Sequence, residues 1–134
     1  MSFTSPDVEI VKFVTKVEGI DEVIETPVSG ADKVSVKIPE SSNYVMTIHF
    51  KAKTDLKDFR YKQVVKRKGI TVKNREVEIG DYAASDEVYL KEFPQDSTPG
   101  GFLIRGVYNA KSNYQANGKD ILIVEWELEI VSKA

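Results

Sequence analysis

The chain has 134 residues, 41% of them hydrophobic and 30% charged, with a formal net charge of −2. That length suits one domain with a substantial core, and the slightly acidic balance argues against a general nucleic-acid-binding surface, which needs excess positive charge. The absence of cysteine excludes disulfides, thiolate metal sites and cysteine nucleophiles. The first residues, Met1 to Pro6, lack the basic-then-apolar order of a signal peptide, and no apolar run approaches the ~18 residues of a membrane-spanning helix. A cytoplasmic protein is the natural reading of a cysteine-free domain of this kind.

Period-2 alternation dominates and no convincing helical period occurs. Residues 1–7 read as a short disordered lead. Val8 to Val17 is β-rich and forms the first predicted strand. Val34, Val36 and Ile38 alternate with Ser35 and Lys37 until Pro39 stops them. Tyr44, Met46, Ile48, Phe50 and Ala52 share one face of the next strand, with Val45, Thr47, His49, Lys51 and Lys53 on the other. This is the pattern of an antiparallel sheet with one wet face. Tyr61 to Lys68 continues it, and Gly69 turns the chain. Ile70 to Val72 and Glu76 to Ile79 are two short apolar stretches, ended by Gly80-Asp81. Glu87 to Phe93 alternates again, and Pro94 to Gly101 is a turn-rich loop. Phe102 to Tyr114 and Asp120 to Val131 are the two long late strands. Asn117-Gly118 between them signals a tight hairpin, because both central residues of a type I′ turn need positive φ. The sum is one domain over residues 1–134, all-β, with eight or nine antiparallel strands in an immunoglobulin-like β-sandwich.

Little of the chemistry points to catalysis. The single histidine, His49, falls on the charged side of its strand, where a triad would need it ordered beside a serine in a cleft. Glu125, Glu127 and Glu129 alternate on one face, as a solvated surface does. No calcium-loop, phosphate-loop or dinucleotide glycine pattern occurs, so no catalytic residue, metal ligand or cofactor is assigned. Lys66-Arg67-Lys68 could touch anionic lipid or an acidic partner, but three charges at a strand end more often form a solvated edge that resists aggregation.

The last strand carries more information. Leu122, Val124, Trp126, Leu128 and Ile130 share one wholly apolar face, which must be buried. Two readings bury the same residues. One is an ordinary packed core. The other is a sandwich that opens between its sheets onto an apolar ligand. Periodicity alone does not separate them.

From Tyr44 onward the chain resembles the C-terminal immunoglobulin-like domain of the Rho guanine-nucleotide dissociation inhibitors. Tyr44 to Phe50 resembles the family's Tyr-x-x-x-Ile-x-Phe strand. Tyr61-Lys62-Gln63 and Arg67-Lys68-Gly69-Ile70 resemble its Tyr-x-Gln and Arg-Lys-Gly-Val, and Gly80-Asp81-Tyr82 its Gly-Ser-Tyr. Thr98-Pro99-Gly100-Gly101-Phe102-Leu103-Ile104-Arg105-Gly106-Val107-Tyr108 is similar to Ala-Pro-x-Gly-x-Leu-Ala-Arg-Gly-x-Tyr, and Glu125-Trp126 to the Glu-Trp of the closing strand.

The resemblance implies a binding module rather than an enzyme. Its ligand would be the geranylgeranyl or farnesyl group of prenylated Rho-family GTPases, held in an apolar pocket between the sheets. It would keep such GTPases soluble in the cytosol, with transient access to membrane-bound cargo, and would act as a monomer. Carried over by position, the lipid-binding residues are Val36, Tyr44, Leu56, Leu103, Ala110, Val124 and Trp126. At Ala110 the family usually has a larger aliphatic residue and at Val124 often a second tryptophan, so the pocket here is expected to be wider or differently shaped. The family's N-terminal arm, which grips the GTPase, has no counterpart before Val8. Around Asn117, where the family has several aspartates, this chain has Gln115-Ala116-Asn117-Gly118. The expectation is therefore lipid holding without inhibition of nucleotide exchange. Two other readings stand beside it: a general carrier of lipidated proteins, like the phosphodiesterase delta-subunit family, and a structural immunoglobulin-like domain with a closed core.

Overall fold

Alternating side chains oblige the longer strands to cover one face against one another. The computed structural model describes residues 5–101 and 104–132. In chain order the strands are β1 (Val8–Val17), β2 (Val23–Pro27), β3 (Ser35–Pro39), β4 (Asn43–Ala52), β5 (Leu56–Arg67), β6 (Ile70–Tyr82), β7 (Tyr89–Glu92), β8 (Asp96–Ser97), β9 (Gly106–Ala116) and β10 (Lys119–Val131). No helix occurs among the described residues. One sheet runs β2-β1-β4-β7, with β8 also paired to β4. The other runs β3-β10-β9-β5-β6. The two pack as an immunoglobulin-like sandwich, with Phe13 of the first sheet meeting Trp126 of the second edge to face at 5.8 Å between ring centres.

Several elements differ from the sequence expectation. Among the described residues the count is ten rather than eight or nine, and one pairing, β3 with β10, is parallel. After β2 the chain leaves the first sheet and enters the second at its edge, beside a strand distant in sequence. Alternation carries no strand direction, so this pairing was illegible. β2 itself is a five-residue edge strand that buries only Thr26, too little to show a period. The stretches 70–72 and 76–79 are one strand, which runs on through Gly80 to Tyr82 because register shifts in the β5–β6 pairing absorb the irregular residues. β9 begins at Gly106, whereas Phe102 and Leu103 lie outside the described residues. The Pro94–Gly101 loop holds the two-residue β8.

The predicted hairpin turn is present. Asn117 and Gly118 both have positive φ, 56° and 76°, as a type I′ turn requires. The Asn117 side chain also ties the hairpin to β5. Its Oδ1 accepts from the Lys57 amide at 3.2 Å and its Nδ2 donates to the Asp55 carbonyl at 3.1 Å. The described part of the N-terminal lead is fastened as well, since Ser5 is buried and its carbonyl accepts from Lys53 Nζ at 2.8 Å.

Candidate functional site

The register of the second sheet arranges the inner face in rows. Trp126 on β10 lies opposite Ala110 on β9, and Ala110 opposite Val65 on β5. The next row is Val124, Ser112 and Gln63. Val36 on β3 stands beside Leu128, and Tyr44 faces the same interior from β4. Val36, Tyr44, Ala110, Val124 and Trp126 are all buried, Trp126 to 4% exposure and Val124 to 0%. The structure therefore brings these five into one interior, and in it that interior is closed by packing across the sheets. Leu56 is buried too, but it lies at the other end of β5 from Val65. At ~3.3 Å per residue that is on the order of 25–30 Å along the strand, so Leu56 stands apart from the Trp126 group. Leu103 lies outside the described residues.

Two features of this interior were not singled out from sequence. The first is a buried polar chain. Trp126 Nε1 donates to Ser112 Oγ at 2.8 Å, and Ser112 Oγ donates to the Tyr61 hydroxyl at 3.2 Å. Tyr61 stacks on Phe93 at 5.0 Å. Burial pushes the Tyr61 hydroxyl up to about 12, against the opposing pull of the Ser112 hydrogen bond, so it stays neutral and holds Ser112, which in turn accepts from the indole. Alternation along β9 placed Ser112 on the inner face with Ala110 and Tyr114, which was the available signal. Two hydroxyls on the inner faces, Thr15 Oγ1 and Tyr114 Oη, are buried with no protein partner.

The second feature is a charged latch. β6 is the edge of one sheet, while β7 and β8 edge the other. Across that seam Lys73 Nζ pairs with the Asp96 carboxylate, and Arg75 Nη1 approaches the same oxygen at 3.5 Å. The Tyr44 hydroxyl donates to it at 3.2 Å. Arg75 also donates to the Pro94 carbonyl and lies over the Phe93 ring, 5.8 Å from its centre. Burial pushes the Asp96 carboxyl up, but the Lys73 hydrogen bond, the Ser97 amide and the charges of Lys73 and Arg75 together outweigh it and hold the group below its ordinary range. Burial, with the Asp96 charge second, raises the Tyr44 hydroxyl. The latch thus joins the edges of the two sheets beside Tyr44.

The residues read as solvated are so placed. His49 is half-buried on the outward side of β4, and Glu125 faces out opposite Lys111. A surface depression of about 1000 Å³ lies over this outer face, lined by outward side chains such as Val64, Lys66, Lys111, Ile123 and Glu125. Val34, Ala110 and Trp126 also contribute to its lining, so it reaches the strands that carry the Trp126 row. Among the described residues no cluster of three His, Asp or Glu side chains could hold a metal, and no helix is long and apolar enough to cross a membrane.

Fold and interior together define an immunoglobulin-like β-sandwich with a buried aromatic centre. Solved structures agree on that architecture. A Niemann-Pick type C2 protein from Japanese carpenter ant superposes over 98% of this chain and 100% of its own, with a TM-score of 0.54 and 12% identity. The C-terminal domain of wzt covers 96% of this chain and 75% of its own, with a TM-score of 0.55 and 10% identity. At such identities the likeness concerns the fold alone. Sequence decides the family. The model of the RHO protein GDP dissociation inhibitors matches residues 2–133, and the chain belongs to that family. It is 36% identical over 102 residues to the Rho GDP-dissociation inhibitor of Saccharomyces cerevisiae, covering 72% of this chain and 50% of that protein. The Rho GDP-dissociation inhibitor 1 of Rattus norvegicus is 32% identical over 100 residues, covering 73% and 49%. The chain thus spans about half the length of the curated relatives it matches.

Proposed function

We propose that this domain takes the prenyl group of a Rho-family GTPase between its two sheets and so holds the GTPase in solution in the cytosol. The observation that carries the reading is the Trp126 face: in a chain of this family, the apolar residues matched to the lipid site on four different strands converge on one interior. That interior is closed, so a lipid enters by parting side chains or sheets, and the ligand-competent form is a minor state made dominant by binding.

Magnitudes set what the lipid must do. Burying an isoprenoid gains roughly 0.8 kcal/mol per methylene, on the order of 10 kcal/mol for a geranylgeranyl chain. A bilayer offers the same gain, and the protein must in addition give up packing around Trp126. Release from membranes therefore requires protein–protein contacts beyond the lipid. The test is to load vesicles with a geranylgeranylated Rho GTPase, add the domain, and measure GTPase in the supernatant. Stoichiometric release of the prenylated form and no complex with the unprenylated form is the expected result. Equal complex formation with both forms would show that the lipid is not what the domain holds.

A further inference from the structure

The hairpin joining β5 to β6 carries features that a prenyl-holding interior does not use. Lys68 and Gly69, with φ of 52° and 80°, make a tight turn. Just past it Ile70 is 69% exposed and Val72 54% exposed, although farther along the same strand Val77 and Ile79 are buried. Val72 is the extra residue where the pairing slips from Val65–Lys73 to Lys66–Thr71. The first sheet supplies only the short β7 and β8 on this side, so the hairpin end overhangs it. Exposed Lys66 and Lys68 lie on the facing arm and in the turn of the same hairpin.

Charge is distributed to match. Of the acids on this side, Asp96 pairs with Lys73 and Arg75 and Glu40 with Arg105, while Glu125 and Glu129 lie on the outer face of β10. The acidic turn Glu18–Glu22 joins β1 to β2, whose sheet edge is the one opposite β7 and β8. One corner of the sandwich is thus both cationic and apolar.

We propose that this corner is a membrane-contact tip that takes an anionic phospholipid surface. Ile70 and Val72 enter the boundary between headgroups and acyl chains, and Lys66 and Lys68 meet the phosphates and carboxylates, the combination by which peripheral proteins bind anionic bilayers weakly and in a salt-sensitive way. A second copy pairing along the open β6 edge is disfavoured, because Lys73 and Arg75 point inward from that edge and such charges oppose strand addition. The tip is on the strand that bears the latch, so contact would bring the seam between the sheets toward the bilayer. That consequence rests on the proposed lipid-holding function, whereas the contact itself does not.

The test is flotation of the protein with vesicles of phosphatidylcholine containing about 30 mol% phosphatidylserine, against pure phosphatidylcholine, with no prenylated protein present. Binding to the anionic vesicles alone is expected, lost in high salt, and reduced about tenfold or more by Ile70→Ser/Val72→Ser and by Lys66→Gln/Lys68→Gln. Both doublets lie on the surface and are expected to leave thermal unfolding and binding of a soluble prenylated peptide unchanged. Failure of the parent protein to float, undiminished flotation of the Ile70→Ser/Val72→Ser variant, or a dimer in sedimentation that this variant abolishes would each overturn the proposal.

Discussion

Replacing Trp126 by alanine is expected to cost about 3–5 kcal/mol of folding stability, the range for truncating a large buried aromatic, and to weaken prenyl-peptide binding at least tenfold. Three losses combine. The edge-to-face contact with Phe13 disappears. Ser112 Oγ loses its indole donor. The floor of the interior loses its largest flat apolar surface, and removing such a side chain from contact costs roughly 1.5–3 kcal/mol. Because the alanine variant is heavily destabilised, Trp126→Phe separates the effects. Phenylalanine keeps much of the apolar contact but lacks the N–H and the indole's second ring, so it is expected to lose about 1–3 kcal/mol of stability and to retain most of the lipid affinity. Urea denaturation measures the first quantity and calorimetric titration the second. Unchanged affinity in a folded Trp126→Ala protein would place the lipid elsewhere.

Asp96→Asn is the second large effect, and it acts on access. The substitution keeps the shape of the side chain while removing the charge that Lys73 and Arg75 share. These groups are partly exposed, with side-chain exposures of 18% for Asp96, 31% for Lys73 and 15% for Arg75. The cost therefore falls between the 0–1 kcal/mol of surface pairs and the larger penalty of breaking a buried one, about 1–3 kcal/mol. With the seam unlatched, the association rate for a prenylated peptide is expected to rise several-fold in stopped-flow fluorescence. A variant that is less stable but associates at the parent rate would show that the seam is not the way in. The pH dependence has a definite sign. A carboxyl held below its ordinary value of 3.8 contributes stability that is complete above that value and lost as pH falls through the lowered one. The parent protein should therefore lose the latch only below about pH 4, and Asp96→Asn should lack that component of acid destabilisation. At neutral pH the latch stays closed unless a ligand or partner displaces it.

How much of this was legible beforehand depended on how local the signal was. The burial of Trp126, the outward stripe of glutamates and the turn at Asn117-Gly118 each follow from a few neighbouring residues, and each is where alternation and turn chemistry placed it. Long-range relations were not legible. The parallel placement of β3 beside β10 leaves no trace in the local pattern of either strand. Lys73 and Arg75 fall between the two short stretches read at 70–72 and 76–79, yet they lie within β6 and point inward, because at an open edge a cation can reach across to a carboxylate of the opposing sheet. Ser112 looked like an ordinary small polar residue until Trp126 and Tyr61 were seen on either side of it. Leu56 was assigned by resemblance alone, and strand register sets it far from the residues it was grouped with. The choice between packed core and lipid site stayed open in the sequence for a physical reason, since the closed interior and the ligand-filled one bury the same side chains.

That choice is the central claim, and one titration tests it most directly: a geranylgeranylated peptide from a Rho C-terminus added to the domain, with Trp126 fluorescence and heat of binding recorded together. Trp126 is the only tryptophan, so its emission reports this interior alone. Saturable binding at one site, with an emission change that tracks the heat and is absent for the unprenylated peptide, is the outcome expected if the lipid displaces the packing around it. No heat and no change in emission at saturating peptide would contradict the account and leave the Trp126 face as a closed structural core.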